Sequence, residues 1–180
     1  MNLILIGYRA TGKTTLARLL AQRLGWDWID ADVEIERRAG KPIARIFAED
    51  GEPAFRDLEA EVIAGLCQRE RLVLATGGGA PLRPESRRVM RDSGKVVWLK
   101  ALPETIHARM SGDATTASRR PNLTSKGGLE EIVHLLQKRE PAYRESAHVE
   151  VDTETKTPGQ IAEEILDHVG QISSLSHKGL

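Results

Sequence analysis

Two patterns of apolar and polar residues alternate along the chain. Short apolar runs, of the length typical of buried strands, are separated by stretches in which apolar residues recur every three or four positions, as in helices. The runs predict five strands, the second ending at Asp30: 3–6, 26–29, 72–75, 96–99 and 148–151. Strands that are apolar throughout need cover on both faces. The pattern therefore predicts an α/β fold, a five-stranded parallel sheet with helices on both faces.

The periodic stretches predict the helices between these strands. Leu16, Leu19, Leu20 and Leu24 share one face of the first helix, and Gly25 ends it. A short helix over 32–39 is ended by Gly40, Pro42 takes the first position of the next, and the pattern restarts after 51–53 and continues to about Arg69. Further helices are predicted to begin at Pro84 and Pro103 and to include 129–136 and 161–169.

The length and charge of the chain limit the number of domains and the kinds of partner. The 180 residues suffice for one domain, which we place at 1–172, and 173–180 are expected to form a disordered tail. Lys and Arg number 26, as do Asp and Glu, so a zero net charge favours neither nucleic acid nor a membrane surface as a partner. The single cysteine, Cys67, allows no intrachain disulfide. No stretch is long enough to span a membrane or form a signal peptide, so we expect a cytoplasmic protein and take it as a monomer.

Residues 7–14 match the phosphate-binding pattern G-x-x-x-x-G-K-[ST], between a predicted strand and a predicted helix. Gly7 and Gly12 let successive N–H groups point inward, and the helix start adds its positive dipole end. Lys13 can reach the β- and γ-phosphates of a nucleoside triphosphate, and the Thr14 hydroxyl can bind Mg²⁺. The alternative is a strand–helix turn that carries Lys-Thr by coincidence.

Carboxylates follow the second predicted strand, at the sheet edge where the phosphate-binding loop also lies. One of Asp30 and Asp32 could help to hold hydrated Mg²⁺, and the other could orient a hydroxyl nucleophile. The alternative is structural: Asp30 ends the strand and Asp32 caps the next helix. Spacing alone does not choose between them.

Two arginines and a glycine triplet raise similar alternatives. Arg56 could bind a substrate carboxylate, or could simply pair with Glu52 and Glu59 at helical spacing. Arg139 presents the same choice. Three glycines at a strand end, 77–79, suggest close approach of backbone N–H groups to a ligand, and a flexible hinge is the alternative.

Residues 111–127 are polar and offer little to bury, which predicts a mobile loop. Arg119-Arg120-Pro121 lies within it. An arginine there could neutralise charge on a transferring phosphoryl group, and loop closure would exclude water. A solvated basic loop is the alternative.

Taken in order, these motifs resemble the shikimate kinase family over nearly the whole chain. They are 7–14, Asp-Ala-Asp at 30–32, Phe55-Arg56, the triplet 77–79, Arg120-Pro121, and Arg139 before Pro141 and Tyr143. The resemblance implies a P-loop kinase fold with substrate-binding helices at about 31–60 and a mobile lid at about 111–127. It also implies transfer of the ATP γ-phosphoryl group to the 3-hydroxyl of shikimate, in the chorismate pathway, with Mg²⁺.

The family pattern implies roles residue by residue. The nucleotide would be bound by Gly7, Ala10, Thr11, Gly12, Lys13, Thr14, Thr15, Arg109, Arg120 and Pro158, and Mg²⁺ by Thr14 and Asp30. The substrate would be bound by Asp32, Arg56, Gly78, Gly79 and Arg139, and the catalytic residues would be Lys13, Asp32 and Arg120. The lid departs from the family pattern, since Asn122 follows Arg120-Pro121 where many members have Leu.

Two other functions compete with this one. A gluconate or nucleoside-monophosphate kinase would share the fold, although a nucleotide acceptor would call for a base-reading pocket that the sequence does not display. A P-loop regulator without transfer activity would not need Asp32, Arg56 and Arg139 together.

Overall fold

The computed structural model describes residues 1–112 and 128–176. Five parallel strands form one sheet: β1 (Asn2–Ile6), β2 (Asp27–Asp30), β3 (Leu72–Ala75), β4 (Gly94–Lys100) and β5 (Val149–Asp152). Their order in the sheet is β2-β3-β1-β4-β5. The predicted parallel sheet is therefore confirmed, and every predicted strand is present with bounds shifted by at most a few residues.

Eight helices are described around the sheet, with a short 3₁₀ turn at Ala80–Leu82 after β3. They are α1 (Lys13–Leu24), α2 (Ala31–Ala39), α3 (Ile43–Glu49), α4 (Gly51–Cys67), α5 (Pro84–Ser93), α6 (Pro103–Ser111), α7 (Gly128–Ser146) and α8 (Pro158–Ser176).

Three helix ends differ from the prediction. Pro42 is the extended N-cap of α3 and not its first helical residue. Helix α7 continues through Pro141, well beyond the periodic stretch 129–136 that predicted it. Helix α8 continues to Ser176, past Ser173, where the sequence predicted the tail to begin; residues 177–180 lie outside the described residues.

Alternate residues of the inner strands pack on opposite faces of the sheet. Ile4, Ile6, Leu74 and Val96 contact the side formed by α2 to α5 and Tyr143 of α7. Their strand neighbours Leu3, Leu5, Val73 and Val97 pack on the other side, against α1 and α8. The helix side chains in that cluster include Leu16, Leu20, Ile161 and Ile165. Burial of both faces explains the uninterrupted apolar runs in the sequence.

The carboxyl ends of β1, β3 and β2 meet at one edge of the sheet, because the three strands are adjacent and parallel. Each leads directly into a segment that the sequence analysis singled out: the phosphate-binding loop, the glycine triplet and the Asp-Ala-Asp sequence. Open α/β sheets bind their ligands at this edge. No described helix combines the length and apolar character needed to cross a bilayer.

Candidate active site

The loop between β1 and α1 has the backbone of an anion-binding nest. Gly7 (φ 139°), Ala10 (φ 61°) and Gly12 (φ 92°) lie at positive φ, which turns successive N–H groups inward. A Cβ at Gly7 would lie 2.5 Å from the Leu99 carbonyl oxygen, so only glycine fits there. Among the described residues, no hydrogen bond takes the N–H of Ala10, Thr11 or Gly12. The loop therefore fits the phosphates of a nucleotide.

Lys13 and Thr14 begin α1, immediately after the nest. The Lys13 ammonium group donates to the carbonyl oxygens of Gly7 (2.9 Å) and Tyr8 (2.6 Å), so it lies over the loop and is buried. A cation fixed across the nest is placed to neutralise phosphate charge. Thr15 follows in the first turn of α1.

A hydroxyl and a carboxylate meet beside this helix start. Thr14 donates to Asp30 Oδ2 at 2.7 Å, while Asp30 Oδ1 accepts the N–H of Asp32 at 3.0 Å and caps α2. The predicted structural alternative is thus present, with Asp30 and not Asp32 as the cap. Among the described residues no cluster of three or more metal-ligating side chains occurs. The oxygen pair suits Mg²⁺, which takes one or two carboxylates and completes its shell with phosphate oxygens and water.

A cleft of about 520 Å³ joins the nest to the Asp-Ala-Asp sequence. Lys13 and Thr14 line one side, Asp30 and Asp32 another, and Gly77 and Gly78 a third. Other side chains line it as well, and sequence reasoning gave none of them a role: Arg9, Arg18, Trp28, Val33, Glu36, Ile43 and Thr76. No sequence pattern points to them, because their places follow from how separate elements pack around the cleft.

The glycine triplet separates this cleft from the two predicted substrate arginines. A Cβ at Gly78 would lie 3.4 Å from both the Gly7 oxygen and Arg139 Nη1, so Gly78 fits tightly between the phosphate-binding loop and α7. Arg139 Nη1 also donates to the Gly78 oxygen at 3.3 Å. A Cβ at Gly79 would lie 2.2 Å from Arg56 Nη1. Both guanidinium groups are therefore brought to the triplet, on the same side of the molecule as the nest.

Arg56 makes the ion pairs that the sequence offered as the structural alternative. Its Nη1 lies 2.6 Å from Glu59, a carboxylate that is 3% exposed, and its Nη2 lies 3.1 Å from the exposed Glu52. These contacts fix the side chain of Arg56 and also aim it at Gly79. The ion pairs and a substrate-binding role are thus compatible.

Arg109 links the nest to the loop after β5. Its Nη1 donates to the Ala10 oxygen (3.4 Å) and to Thr153 Oγ1 (3.2 Å), and its Nη2 donates to the Thr153 oxygen (2.9 Å). Pro158 begins α8 a short distance further along the chain and is exposed. Arg120 and most of the predicted lid, 113–127, lie outside the described residues.

Two further contacts join α7 to this edge of the sheet, and the sequence analysis foresaw neither. Arg9 pairs with Glu131 (3.2 Å), a carboxylate that is 1% exposed, and the Tyr143 hydroxyl donates to the Gly78 oxygen (2.6 Å).

Tyr8 lies beneath the guanidinium groups of Arg9 and Arg139. Burial is the main cause that raises the pKa of Tyr8, and the two cations oppose the shift. Tyr8 therefore keeps its proton at neutral pH.

The model of the family described as shikimate kinase matches residues 9–170. The chain belongs to the shikimate kinase family. Curated shikimate kinases from Rhodopirellula baltica and Symbiobacterium thermophilum are 45% and 41% identical to it; they match 92% and 93% of this chain and 88% and 95% of their own length. Membership in the shikimate kinase family makes the chain a transferase that phosphorylates shikimate with ATP, in aromatic amino acid biosynthesis, and Mg²⁺ is its metal.

Solved structures agree with this assignment. The shikimate kinase from Acinetobacter baumannii, in complex with shikimate, has a TM-score of 0.87 and 37% identity, over 99% of this chain and 95% of that one. A gluconokinase from Sinorhizobium meliloti has a TM-score of 0.58 at 14% identity, over 99% of this chain and 97% of that one. The second likeness extends to the fold alone, so the predicted P-loop kinase fold is confirmed and gluconate gains no support as the substrate.

Proposed function

We propose that this chain transfers the γ-phosphoryl group of ATP to the 3-hydroxyl of shikimate across the cleft between the nest and the glycine triplet. The observation that carries the proposal is the position of Gly78, which packs against the Gly7 oxygen and the Arg9 nitrogen on one side and Arg139 on the other. A triphosphate in the nest and a carboxylate bound by the arginines would then lie on either side of Gly78, at the same edge of the sheet.

The phosphate end of the site is formed by the nest and the start of α1. Gly7, Ala10, Thr11, Gly12 and Thr15 cradle the phosphates with their N–H groups and side chains, and Lys13 neutralises the β- and γ-phosphates. Thr14 and Asp30 would hold Mg²⁺, which would supply positive charge beside the phosphoryl oxygens. Arg109 and Pro158 border the adenine.

The acceptor end of the site consists of residues on α2, α4, the triplet and α7. Arg56 and Arg139 bind the shikimate carboxylate, and Gly78 and Gly79 contribute backbone contacts. Asp32 accepts hydrogen bonds from the shikimate hydroxyls and orients the 3-hydroxyl for attack. Phosphoryl transfer requires little covalent assistance, so this positioning and the charge neutralisation by Lys13 supply most of the catalysis.

Arg120 completes the assignment as the lid arginine, which neutralises the transferring group. Because this contact would form mainly in the transition state, Arg120→Ala should lower kcat much more than it raises the KM for shikimate. Steady-state kinetics measure both constants. An unchanged kcat would remove Arg120 from the catalytic residues.

We also propose the domain extent, the oligomeric state and the location of the protein. Residues 1–172 act as one domain, with a substrate-binding region at about 31–60 and a lid at about 111–127. The protein works as a monomer in the cytoplasm and has no nucleic-acid partner, which the zero net charge supports. Light scattering coupled to gel filtration tests the monomer.

One assay tests the function. ADP release is measured with Mg·ATP and shikimate, gluconate, AMP or no acceptor. Release should occur with shikimate and stay at background with the other three. ADP release at the same rate without any acceptor would contradict kinase activity. ADP release with gluconate would instead indicate a gluconate kinase of the same fold.

A further inference from the structure

Helix α7 contacts the glycine triplet with two side chains one turn apart. Arg139 and Tyr143 lie at i and i+4, on one face of the helix, and both donate to the same carbonyl oxygen, that of Gly78. The tyrosine bond is the shorter, at 2.6 Å against 3.3 Å for the arginine. A carbonyl oxygen has two lone pairs, so the two donors together satisfy it.

The Tyr143 hydroxyl is placed by packing. The residue is 0% exposed, and its ring stacks at a tilt on Trp98 of β4 with the centroids 5.5 Å apart. A ring fixed between the sheet and α7 has little freedom to turn its hydroxyl elsewhere. Tyr143 therefore fixes the direction of the Gly78 carbonyl, in a triplet that has no side chains of its own to fix it.

All three carbonyl groups of the triplet have partners. The Gly77 oxygen accepts from Ala80 N–H (3.1 Å), the Gly79 oxygen from Leu82 N–H (3.0 Å), and the Gly78 oxygen from α7. Within the described part of the chain, no hydrogen bond takes the N–H of Gly79. In a trans peptide the carbonyl and the following N–H point in opposite directions. With the Gly78 carbonyl turned to α7, the Gly79 N–H points away from α7 and is left for an acceptor.

We propose that Tyr143 is a positioning residue: it orients the Gly78–Gly79 peptide so that the Gly79 N–H donates to an oxygen of the substrate that Arg56 binds. The inference rests on the proposed function, which assigns Gly79 a backbone contact with shikimate. Arg56 Nη1 already lies within van der Waals reach of Gly79, so the N–H and the guanidinium can converge on one acceptor. Tyr143 itself does not touch the substrate.

Tyr143→Phe tests this role, since phenylalanine keeps the ring that stacks on Trp98 and removes only the hydroxyl. Losing one positioning hydrogen bond should raise the KM for shikimate by about 3- to 10-fold, with kcat and the KM for ATP changed by less than about twofold. Ser146→Ala is the matched control, because Ser146 is buried in the same helix and donates to the Ala142 oxygen at 2.6 Å, away from the triplet. It should leave the KM for shikimate unchanged.

A Tyr143→Phe variant that behaves like Ser146→Ala, active with an unchanged KM for shikimate, would overturn the inference and leave the proposed function intact. Absence of shikimate-dependent ADP release in the unaltered protein would instead overturn the proposed function. A second measurement needs no variant. The Gly79 amide proton resonance should move downfield when shikimate is added to the unaltered protein with ADP and Mg²⁺, and an unmoved resonance would also overturn the inference.

Discussion

At Gly79 the absence of one methyl group determines where Arg56 can lie. The backbone there has φ −101°, which any residue can adopt, so glycine is not needed for the turn itself. A Cβ would instead lie 2.2 to 2.6 Å from three atoms of the Arg56 guanidinium. Glu59 and Glu52 bind the same guanidinium, so a displaced Arg56 would lose ion pairs as well as its place at the triplet.

Gly79→Ala should therefore raise the KM for shikimate by about tenfold or more, because a hydrogen bond to a charged group contributes about 1.5–3 kcal/mol. Steady-state kinetics give the KM, and circular dichroism checks that the fold is kept. Gly65→Ala is the matched control: a Cβ there would lie 3.2 Å from Arg38 Nη2, the end of a surface side chain. An unchanged KM in Gly79→Ala would show that Arg56 does not bind the acceptor.

Arg56 also marks the limit of what the sequence could predict about single residues. Helical spacing correctly indicated that Glu52 and Glu59 can pair with it, because neighbours on one helix follow from local geometry. The contact with Gly79 joins residues on α4 and after β3, and no local pattern encodes it. The bond from Tyr143 to Gly78 was missed for the same reason. Contacts within one helix followed from local geometry, whereas these two contacts between distant segments did not.

At the level of elements, Asp30 serves two neighbours at once. It ends β2, its Oδ1 caps α2 through the Asp32 N–H, and its Oδ2 accepts from Thr14. The structural and functional interpretations of this carboxylate therefore do not exclude each other. They separate in experiment, because asparagine caps a helix as well as aspartate does but carries no charge for Mg²⁺.

Asp30→Asn should keep the free energy of unfolding within about 0.5 kcal/mol of the unaltered protein, whereas Asp30→Ala should lose about 1 kcal/mol with the cap. Both variants should need more Mg²⁺ for half-maximal activity. Urea unfolding and a Mg²⁺ titration of the initial rate measure the two effects. A normal Mg²⁺ requirement in Asp30→Asn would confine Asp30 to capping.

The extents of the elements were predictable where the signal is local. Strand runs and the glycines after α1 and α2 gave bounds close to those observed, since apolar content and left-handed caps are read from a few residues. The extent of helix α7 was not predictable. A proline such as Pro141 favours the end of a helix, but tertiary contacts keep α7 helical beyond it. Arg91 of α5 donates to the carbonyl oxygens of Glu145, Ser146 and Ala147 and so caps the end of α7 from another element.

For the whole molecule, the sequence predicted the parallel sheet and its binding edge, but not the strand order. The order of the strands depends on how the helices that connect them pack against the sheet. Here β1 lies between β3 and β4, and β5 is at the edge next to β4. The edge strand β5 follows α7 directly and pairs with β4. The position of α7, and with it Arg139, therefore depends on how β5 is attached to β4. His148 makes that attachment with its backbone and its ring. Its backbone N–H donates to the Val96 oxygen (2.8 Å), and its ring Nδ1 accepts the Val96 backbone N–H (3.0 Å).

This attachment requires a neutral imidazole, since a protonated Nδ1 cannot accept from an N–H. Desolvation at the sheet edge, with Arg91 and Lys95 nearby, lowers the pKa of His148 below its usual 6.5. The unfolded chain then binds a proton more readily than the folded one, so this contribution to stability is complete above about pH 6.5 and is lost as the pH falls below it. The loss should stay under about 1 kcal/mol, because solvent still reaches this residue and screens its charge.

His148→Asn keeps an acceptor next to Val96 and removes the titration. The unaltered protein should lose more unfolding free energy than His148→Asn between pH 7.5 and pH 5.5, in urea unfolding at matched ionic strength. His134→Asn, at an exposed position of α7, is the control and should follow the unaltered protein. Parallel pH profiles for all three proteins would mean that the bond from Val96 tolerates protonation of His148, and the attachment of β5 would then depend on the strand hydrogen bonds alone.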